Sequence, residues 1–338
     1  KADLLTIVGD TNRAGAKIAI LPEGLTTRAF VAHLQRLLIT VWSNAEAATP
    51  EQAAKVLVSG VNGVVSANSA AYADVLRKLP TNTLLRKPLV IGHRGMPSRE
   101  DENTLESAKA AVAAGADAVE NDIYITTDDH LVIMHDDTVN RTTNGTGNVE
   151  DMSLAQVKAL ATKTKGYQVP TMREYFQAFK DKPITHVIEL KSSNPRIIAQ
   201  LKKEMDEEGV ADQSVAISFI ADQLKRSGEQ MPELTGGFLN SIADSADVPA
   251  SVRNVLEATQ ANSSTFNPSY TAIRQSTMEA AKHRGVTFWP WTVNTATDFY
   301  KYYSWGTNGI TTDHAYLASN FPVEIAAKPQ TAALALNE

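Results

Sequence analysis

Three observations predict an α/β protein whose main body is a TIM-like (β/α)8 barrel. From about residue 88 onward, short apolar runs alternate with amphipathic stretches, the pattern of repeated βα units in a mainly parallel sheet. The amphipathic stretches stop at a glycine, where a helix wants a left-handed residue after its last turn. Imidazole and charged side chains gather at the ends of the apolar runs, the edge where a barrel carries its chemistry. A doubly wound sheet is the alternative, but no G-x-G-x-x-G turn follows the first run, and the barrel is preferred.

In order, the candidate strands are Leu89–Gly92, Ala118–Ile125, Val132–His135, His186–Leu190, Val215–Phe219, Gly237–Leu239, Thr287–Trp291 and Gly309–Thr312. Thr104–Ala114 reads as a helix capped by Asn103 or Thr104 and ended by Gly115. Met172–Lys180 follows Pro170, Arg196–Glu208 ends at Gly209, and Ala272–Arg284 ends at Gly285. The polar stretch Asp137–Gln168, rich in Asn, Thr and Gly, reads as an excursion from the barrel, an insertion at about 137–168. The expected organisation is a barrel over residues 88–325, preceded by a separate segment 1–87 and followed by a tail 326–338.

The first 87 residues carry a partial repeat. Ile39–Asn44 resembles Phe288–Val293, which matches Trp42 with Trp291, and Gly60–Ser66 resembles Gly306–Thr312. Ile20-Leu21-Pro22 precedes its tryptophan much as Phe266-Asn267-Pro268 precedes Trp291. Two βα units cannot close a barrel. The segment is therefore either the tail of an upstream barrel or an appendage docked onto the complete one, and two unrelated βα units are the plainer alternative.

Composition narrows the chemistry. A net charge of −6 and a pI near 5.7 argue against nucleic-acid binding, which wants a basic excess, and offer no polybasic patch for an anionic membrane. With no cysteine, thiolate nucleophiles and Cys-zinc sites are excluded. No run of 18 apolar residues occurs, so no integral membrane helix is expected. The missing cysteines and the start at Lys1 fit an exported, periplasmic or extracellular protein, with the cytoplasm left open.

Four features carry the chemistry. Val90-Ile91-Gly92-His93-Arg94-Gly95 places His93 and Arg94 at the end of the first run. Glu120-Asn121-Asp122 puts two carboxylates on one face of the next strand, where their repulsion calls for a cation unless the strand end faces water. Val132–Asp136 brings His135, with Asp136 placed either to orient it or to cap a turn. Val187-Ile188-Glu189-Leu190-Lys191 sets a Glu and a Lys in an apolar strand, where Glu189 is either a ligand or the partner of Lys191. Together Glu120, Asp122 and Glu189 form an all-oxygen donor set that favours Ca2+ or Mg2+ over zinc. Arg94 and Lys191 suit a phosphate, and two imidazoles supply an acid and a base. Those parts describe in-line displacement at a phosphodiester.

These residues, with Glu102-Asn103-Thr104, Thr127-Asp128, Arg141-Thr142-Thr143, Trp291–Asn294 and Gly309–Asp313, resemble the glycerophosphodiester phosphodiesterase family over residues 88–325. The resemblance implies a hydrolase of glycerol and lipid metabolism with one divalent cation, Ca2+ or Mg2+, on Glu120, Asp122 and Glu189. It implies His93 and His135 as the acid–base pair, Arg94 and Lys191 near the phosphate, Glu102 beside the metal site, and Trp291 toward the glycerol end. The expected reaction releases sn-glycerol 3-phosphate and an alcohol from a small glycerophosphodiester. A lysophospholipase D or phosphatidylinositol-type phospholipase would use the same site, and a non-catalytic scaffold is the reading from another class.

Three positions depart from the family pattern: Asp101 for a proline, Asp129 for a turn glycine, and His314 for a proline. In the N-terminal repeat Ala67 stands in place of Asp313, and no paired carboxylates or His-Arg-Gly precede residue 88, so that segment is expected to be catalytically silent. Self-association through it is a further expectation.

Overall fold

A computed structural model describes residues 2–80, 83, 85, 86, 88–241, 247–261, 264–317 and 320. The expected tail 326–338 lies outside the described residues. The chain opens with α1 (Ala2–Arg13), β1 (Ile18–Pro22), α2 (Arg28–Arg36), β2 (Thr40–Asn44), α3 (Pro50–Leu57), β3 (Gly63–Val65) and α4 (Ser69–Lys78). These strands form a separate parallel sheet in the order β1-β2-β3.

The main sheet follows with β4 (Leu89–Gly92), α5 (Leu105–Ala113), β5 (Ala118–Ile125), β6 (Leu131–Ile133), α6 (Leu154–Lys158), α7 (Met172–Phe179), β7 (Thr185–Leu190), α8 (Arg196–Glu208) and β8 (Ser214–Ser218). It continues with α9 (Ala221–Gln230), β9 (Gly236–Asn240), α10 (Val248–Ala261), β10 (Ser264–Pro268), α11 (Gln275–Lys282), α12 (Ala296–Ser304) and β11 (Gly309–Thr312). Parallel pairing runs β10-β9-β8-β7-β5-β4-β11. Residues 287–291 join the two ends: Phe266 N donates to Thr287 O and Trp289 N to Phe266 O, while Asn308 N donates to Phe288 O and Thr311 N to Pro290 O. The sheet thereby curls into the barrel the sequence predicts.

Among the described residues the barrel path holds seven strands where eight were expected: Thr287–Trp291 makes only isolated bridges, and two other runs exchange roles. The apolar run at Val132 is not a barrel strand; β6 pairs antiparallel with β5 and lies off the barrel path. Ser264–Pro268, too polar to stand out by pattern, is a barrel strand with every residue buried. Helix boundaries follow their punctuation. Thr104 accepts a hydrogen bond from Ser107 N and caps α5, and Gly209 ends α8 in the left-handed region at φ 69°. Asp129 takes the left-handed conformation (φ 60°) of the turn where glycine is usual, a conformation that Asp tolerates.

The N-terminal segment docks beneath the barrel. Leu4, Val8, Leu21, Val31, Leu34 and Val41 share one apolar cluster with the barrel residues Ile91, Ala118, Val187, Val215 and Trp289. Asn12 Nδ2 donates to Pro232 O (2.9 Å), and a His33 ring nitrogen meets Asp212 O (2.6 Å); both acceptors lie just before a strand begins. The segment is thus a floor at the end of the barrel away from the strand C-termini.

Its internal match needs one correction. Asn62 Oδ1 accepts Val41 N just as Asn308 Oδ1 accepts Phe288 N. A Cβ on Gly63 would strike Trp42, as one on Gly309 would strike Trp289. Trp42 therefore corresponds to the buried Trp289 and not to Trp291. Tryptophan spacing misled the alignment by two residues because the second strand segment carries two tryptophans, and the one packed on the glycine is Trp289.

Candidate active site

The site is built on the C-terminal edges of β4, β5 and β7. Alternation along β5 sends Glu120 and Asp122 to the barrel interior. Asp122 lies directly opposite Glu189 across the β5–β7 ladder, so register alone brings the third carboxylate to the first two. Carboxylate oxygens of all three lie within 4.8 Å of one another, and all three residues are buried.

The turn after β4 delivers the next groups. Gly92 has no room for a side chain, because a Cβ there would sit 2.5 Å from Gly95 O. Gly95 has φ 86° and packs its Cα against Ser107, and Arg94 itself is left-handed at φ 52°. The tight turn aims Arg94 N at Glu120 Oε2 (2.7 Å) and swings the guanidinium toward Glu102 (Nη1–Oε1, 2.9 Å) and Asp122 (Nε–Oδ2, 3.6 Å). Asn103 Nδ2 donates to Asp122 Oδ2 (2.8 Å).

Each histidine is held through Nδ1 by an aspartate. His93 Nδ1 lies 2.6 Å from Asp313 Oδ1, and His135 Nδ1 lies 2.6 Å from Asp136 Oδ1. Asp313 is itself fixed, since Asn294 Nδ2 donates to its Oδ2 (2.6 Å) and its backbone N donates to Asn294 Oδ1 (2.9 Å). His135 arrives from the β6 hairpin and not from a barrel strand end, yet Lys191 Nζ lies 3.3 Å from its Nε2. Lys191 Nζ also reaches Glu189 Oε1 at 3.0 Å, so the ion pair and the carboxylate cluster coexist. Trp291 stands at the mouth, packed edge-on against the exposed Phe219 at 5.5 Å.

Electrostatics follow from this crowding. Burial, then the charges of Asp122 and Glu189, push the Glu120 carboxyl well above its usual range. Burial and then Asp122 raise Glu189 to about 8. Burial opposes the charge on Lys191, but Glu189 and Asp122 outweigh it and hold the ammonium cationic. Burial lowers His135 against the pull of Asp122 and Asp136. The Arg141 hydrogen bonds hold Asp136 down, at about 2.

The donor set fits a hard divalent cation. Glu120 Oε1 and Asp122 Oδ1 are buried oxygens with no hydrogen-bond partner, a costly state for carboxylates that are not ligands. Three oxygens without nitrogen or sulfur suit Ca2+ or Mg2+ chemistry.

The structure brings together Glu120, Asp122, Glu189, Arg94, Glu102, His135 and Lys191, places His93 beside Arg94, and sets Trp291 at the lip. Sequence reasoning passed over the orienting roles of Asp313 and Asn294, although both stand in the closing motifs. It also passed over the role of Arg141, one of whose two partners, Glu102, is 39 residues away. Asp101, the departure from proline, accepts from Thr162 Oγ1 (2.5 Å) and Lys165 N (2.8 Å), which ties the first loop to the insertion.

A parallel barrel with a buried acidic trio and two aspartate-held histidines, one following β4 and one from the β6 hairpin, defines a barrel hydrolase. The profile of the Glycerophosphoryl diester phosphodiesterase family matches residues 93–317. A glycerophosphodiester phosphodiesterase from Caldanaerobacter subterraneus subsp. tengcongensis is 34% identical over 236 residues, spanning 67% of this chain and 94% of that protein. One from Bacillus subtilis is 28% identical over 248 residues, spanning 67% and 83%. Among solved structures, an Oleispira antarctica phosphodiesterase in complex with the product sn-glycerol-3-phosphate shares the fold, with a TM-score of 0.63 and 24% identity over 70% of this chain and 97% of that one. The chain belongs to the glycerophosphoryl diester phosphodiesterase family, and it is an enzyme of that family. Among the described residues, no helix is long and apolar enough to cross a membrane.

Proposed function

We propose that this enzyme hydrolyses small glycerophosphodiesters to sn-glycerol 3-phosphate and an alcohol, in a cation-dependent reaction with imidazole acid–base catalysis. The observation that carries the reading is a pair of histidines, each tied through Nδ1 to an aspartate, in the site that also holds the carboxylate trio. Glu120, Asp122 and Glu189 would hold one Ca2+ or Mg2+ ion. When bound, that ion supplies positive charge that polarises a phosphoryl oxygen and acidifies a coordinated hydroxyl or water.

The remaining work belongs to the chain. Arg94 and Lys191 place two fixed cations at the mouth, where they bind the phosphodiester anion and balance charge that grows as the bond breaks. His135 is lowered by burial and faces an ammonium at Nε2, which favours the neutral ring that accepts the nucleophile's proton. His93 then gives a proton to the leaving oxygen, and Asp313 stabilises the imidazolium before transfer. Trp291 and Phe219 line the lip and exclude water from the glycerol end. Export to the periplasm or the exterior, and catalytic silence of the N-terminal segment 1–87, belong to the same proposal.

Among the described residues the mouth carries the Phe219–Trp291 pair, which favours a short polar substrate over an acyl chain. The test measures glycerol 3-phosphate from glycerophosphocholine and glycerophosphoethanolamine, with EDTA and after restoring Ca2+ or Mg2+. Release abolished by EDTA and restored by one cation supports the reading. No release from these, with turnover of lysophospholipids, would replace it with the lysophospholipase D alternative.

A further inference from the structure

The charged groups of the site close into a ring. His135 Nδ1 meets Asp136 Oδ1 at 2.6 Å, and Arg141 Nε donates to Asp136 Oδ2 at 2.6 Å. Arg141 Nη1 and Nη2 donate to the two oxygens of Glu102 at 2.9 and 2.7 Å. Glu102 Oε1 accepts from Arg94 Nη1 at 2.9 Å, and Arg94 Nε stands 3.6 Å from Asp122 Oδ2. Lys191 Nζ completes the circuit, 3.7 Å from Asp122 Oδ1 and 3.3 Å from His135 Nε2.

Arg141 differs from the other members. It comes from the insertion, its side chain is about half exposed (48%), and it touches none of the carboxylate trio. Yet its planar fork spends all three nitrogens on two carboxylates, one orienting an imidazole and the other a guanidinium. A surface arginine that served only solvation would not be held by four hydrogen bonds to two separate loops.

We infer that Arg141 is a positioning residue that couples the acid–base group to the phosphate clamp: by fixing Asp136 and Glu102 together, it sets the orientation of His135 and of Arg94 with one side chain. This inference rests on the proposed reaction for its kinetic consequence but not for its geometry. A lysine supplies the charge without the fork and reaches only one carboxylate, so planarity is the property at stake.

The test compares wild type with Arg141→Lys, Arg141→Ala, Asp136→Asn and the double variant Arg141→Ala/Asp136→Asn. Both arginine variants should lower kcat about 10–100-fold with thermal unfolding unchanged, the loss expected of charge-assisted bonds that hold an acid–base group. Millimolar guanidinium should restore part of the rate to Arg141→Ala. In the double variant, Asp136→Asn should still lose the His135 Nδ1 bond but cost less than it does alone, because the Arg141 share of its effect is already gone.

A second readout needs no turnover. In 15N-histidine-labelled protein, His135 should hold its proton on Nδ1 in wild type and become a tautomer mixture in Arg141→Lys. Arg141→Lys with wild-type kcat would overturn the inference, as would full additivity in the double variant or an unchanged His135 tautomer. A wild type without phosphodiesterase activity would sink the proposed reaction, and the tautomer would still decide the inference.

Discussion

Replacing Asp313 with asparagine tests the site more sharply than removing a histidine would. The carboxylate accepts from His93 on one oxygen and from Asn294 Nδ2 on the other, both at 2.6 Å. Asn294 cannot turn round, because its Oδ1 is held by the backbone N of Asp313 (2.9 Å) and by Thr312 Oγ1 (3.1 Å). An asparagine at 313 must therefore offer its carbonyl oxygen to Asn294 and its NH2 to His93 Nδ1. The substitution loses a charge-assisted bond of about 1.5–3 kcal/mol and also forces the ring proton onto Nε2. For an acid–base histidine held this way, a wrong tautomer and a destabilised imidazolium together cost about 10²–10⁴ in rate. The assay is kcat for glycerol 3-phosphate release at saturating cation, beside a melting curve and a metal titration that should match wild type. A variant within about threefold of wild-type kcat would refute the role given to His93 and its aspartate.

Three further outcomes are expected. In the metal-free enzyme Glu189 is raised to about 8, so at pH 7 the folded state holds a proton that the unfolded state has lost. Metal-free stability should fall as pH rises from about 4.5 to 8, and cation binding at pH 7 should release the proton held there, with any that the likewise raised Glu120 holds. Calorimetry in buffers of different ionisation enthalpy reads that proton, and buffer-independent heats would contradict it. His186 is fully buried against Tyr175 and Phe176, with both ring nitrogens unpartnered, and burial lowers it to about 3. The unfolded chain takes up a proton that the fold refuses, so stability should be lost from pH 6.5 downward, by up to about 5 kcal/mol near pH 3. Denaturant melts of His186→Leu should show a flatter acid limb, and an unchanged slope would count against it. Leu34→Ala, at a position with no exposed surface in the cluster shared by floor and barrel, should cost about 2–5 kcal/mol and leave kcat unchanged. The loss should appear as one shifted transition, because a separate early melting of the floor would mean that the two do not share a core.

The legible part of this molecule was the part written within a few residues. Glu120 and Asp122 share a face because they are two apart on one strand, and the His93–Gly95 turn declares itself through its glycine. The helix ends at Gly209 and Gly285 were equally plain. What the sequence concealed depends on long separations or on register. Arg141 meets Glu102 across 39 residues and His93 meets Asp313 across 220, distances over which no periodic pattern speaks. The β10 strand Ser264–Pro268 hides because its neighbours bury it despite its polar residues. Val132–His135 misled in the opposite sense, since an apolar run does not say whether its partner runs parallel or antiparallel. Docking of the N-terminal segment was one of two readings the sequence offered, and the choice stayed open for a similar reason: an apolar helix face shows that something covers it, not what does.

That floor changes where the chain can be shortened. The family profile begins at His93, and a chain trimmed just ahead of β4 would keep that strand and the whole matched region. It would nonetheless strip the cover from Val187, Val215 and their neighbours, turning buried aliphatic surface into a sticky face at the end opposite the reaction. Poor recovery of such a minimal barrel would say nothing about the chemistry at its mouth. Expression boundaries and immobilisation tags for this enzyme are better drawn around the floor than through the join, and a tag near Ala2 has to respect α1 as an inner helix.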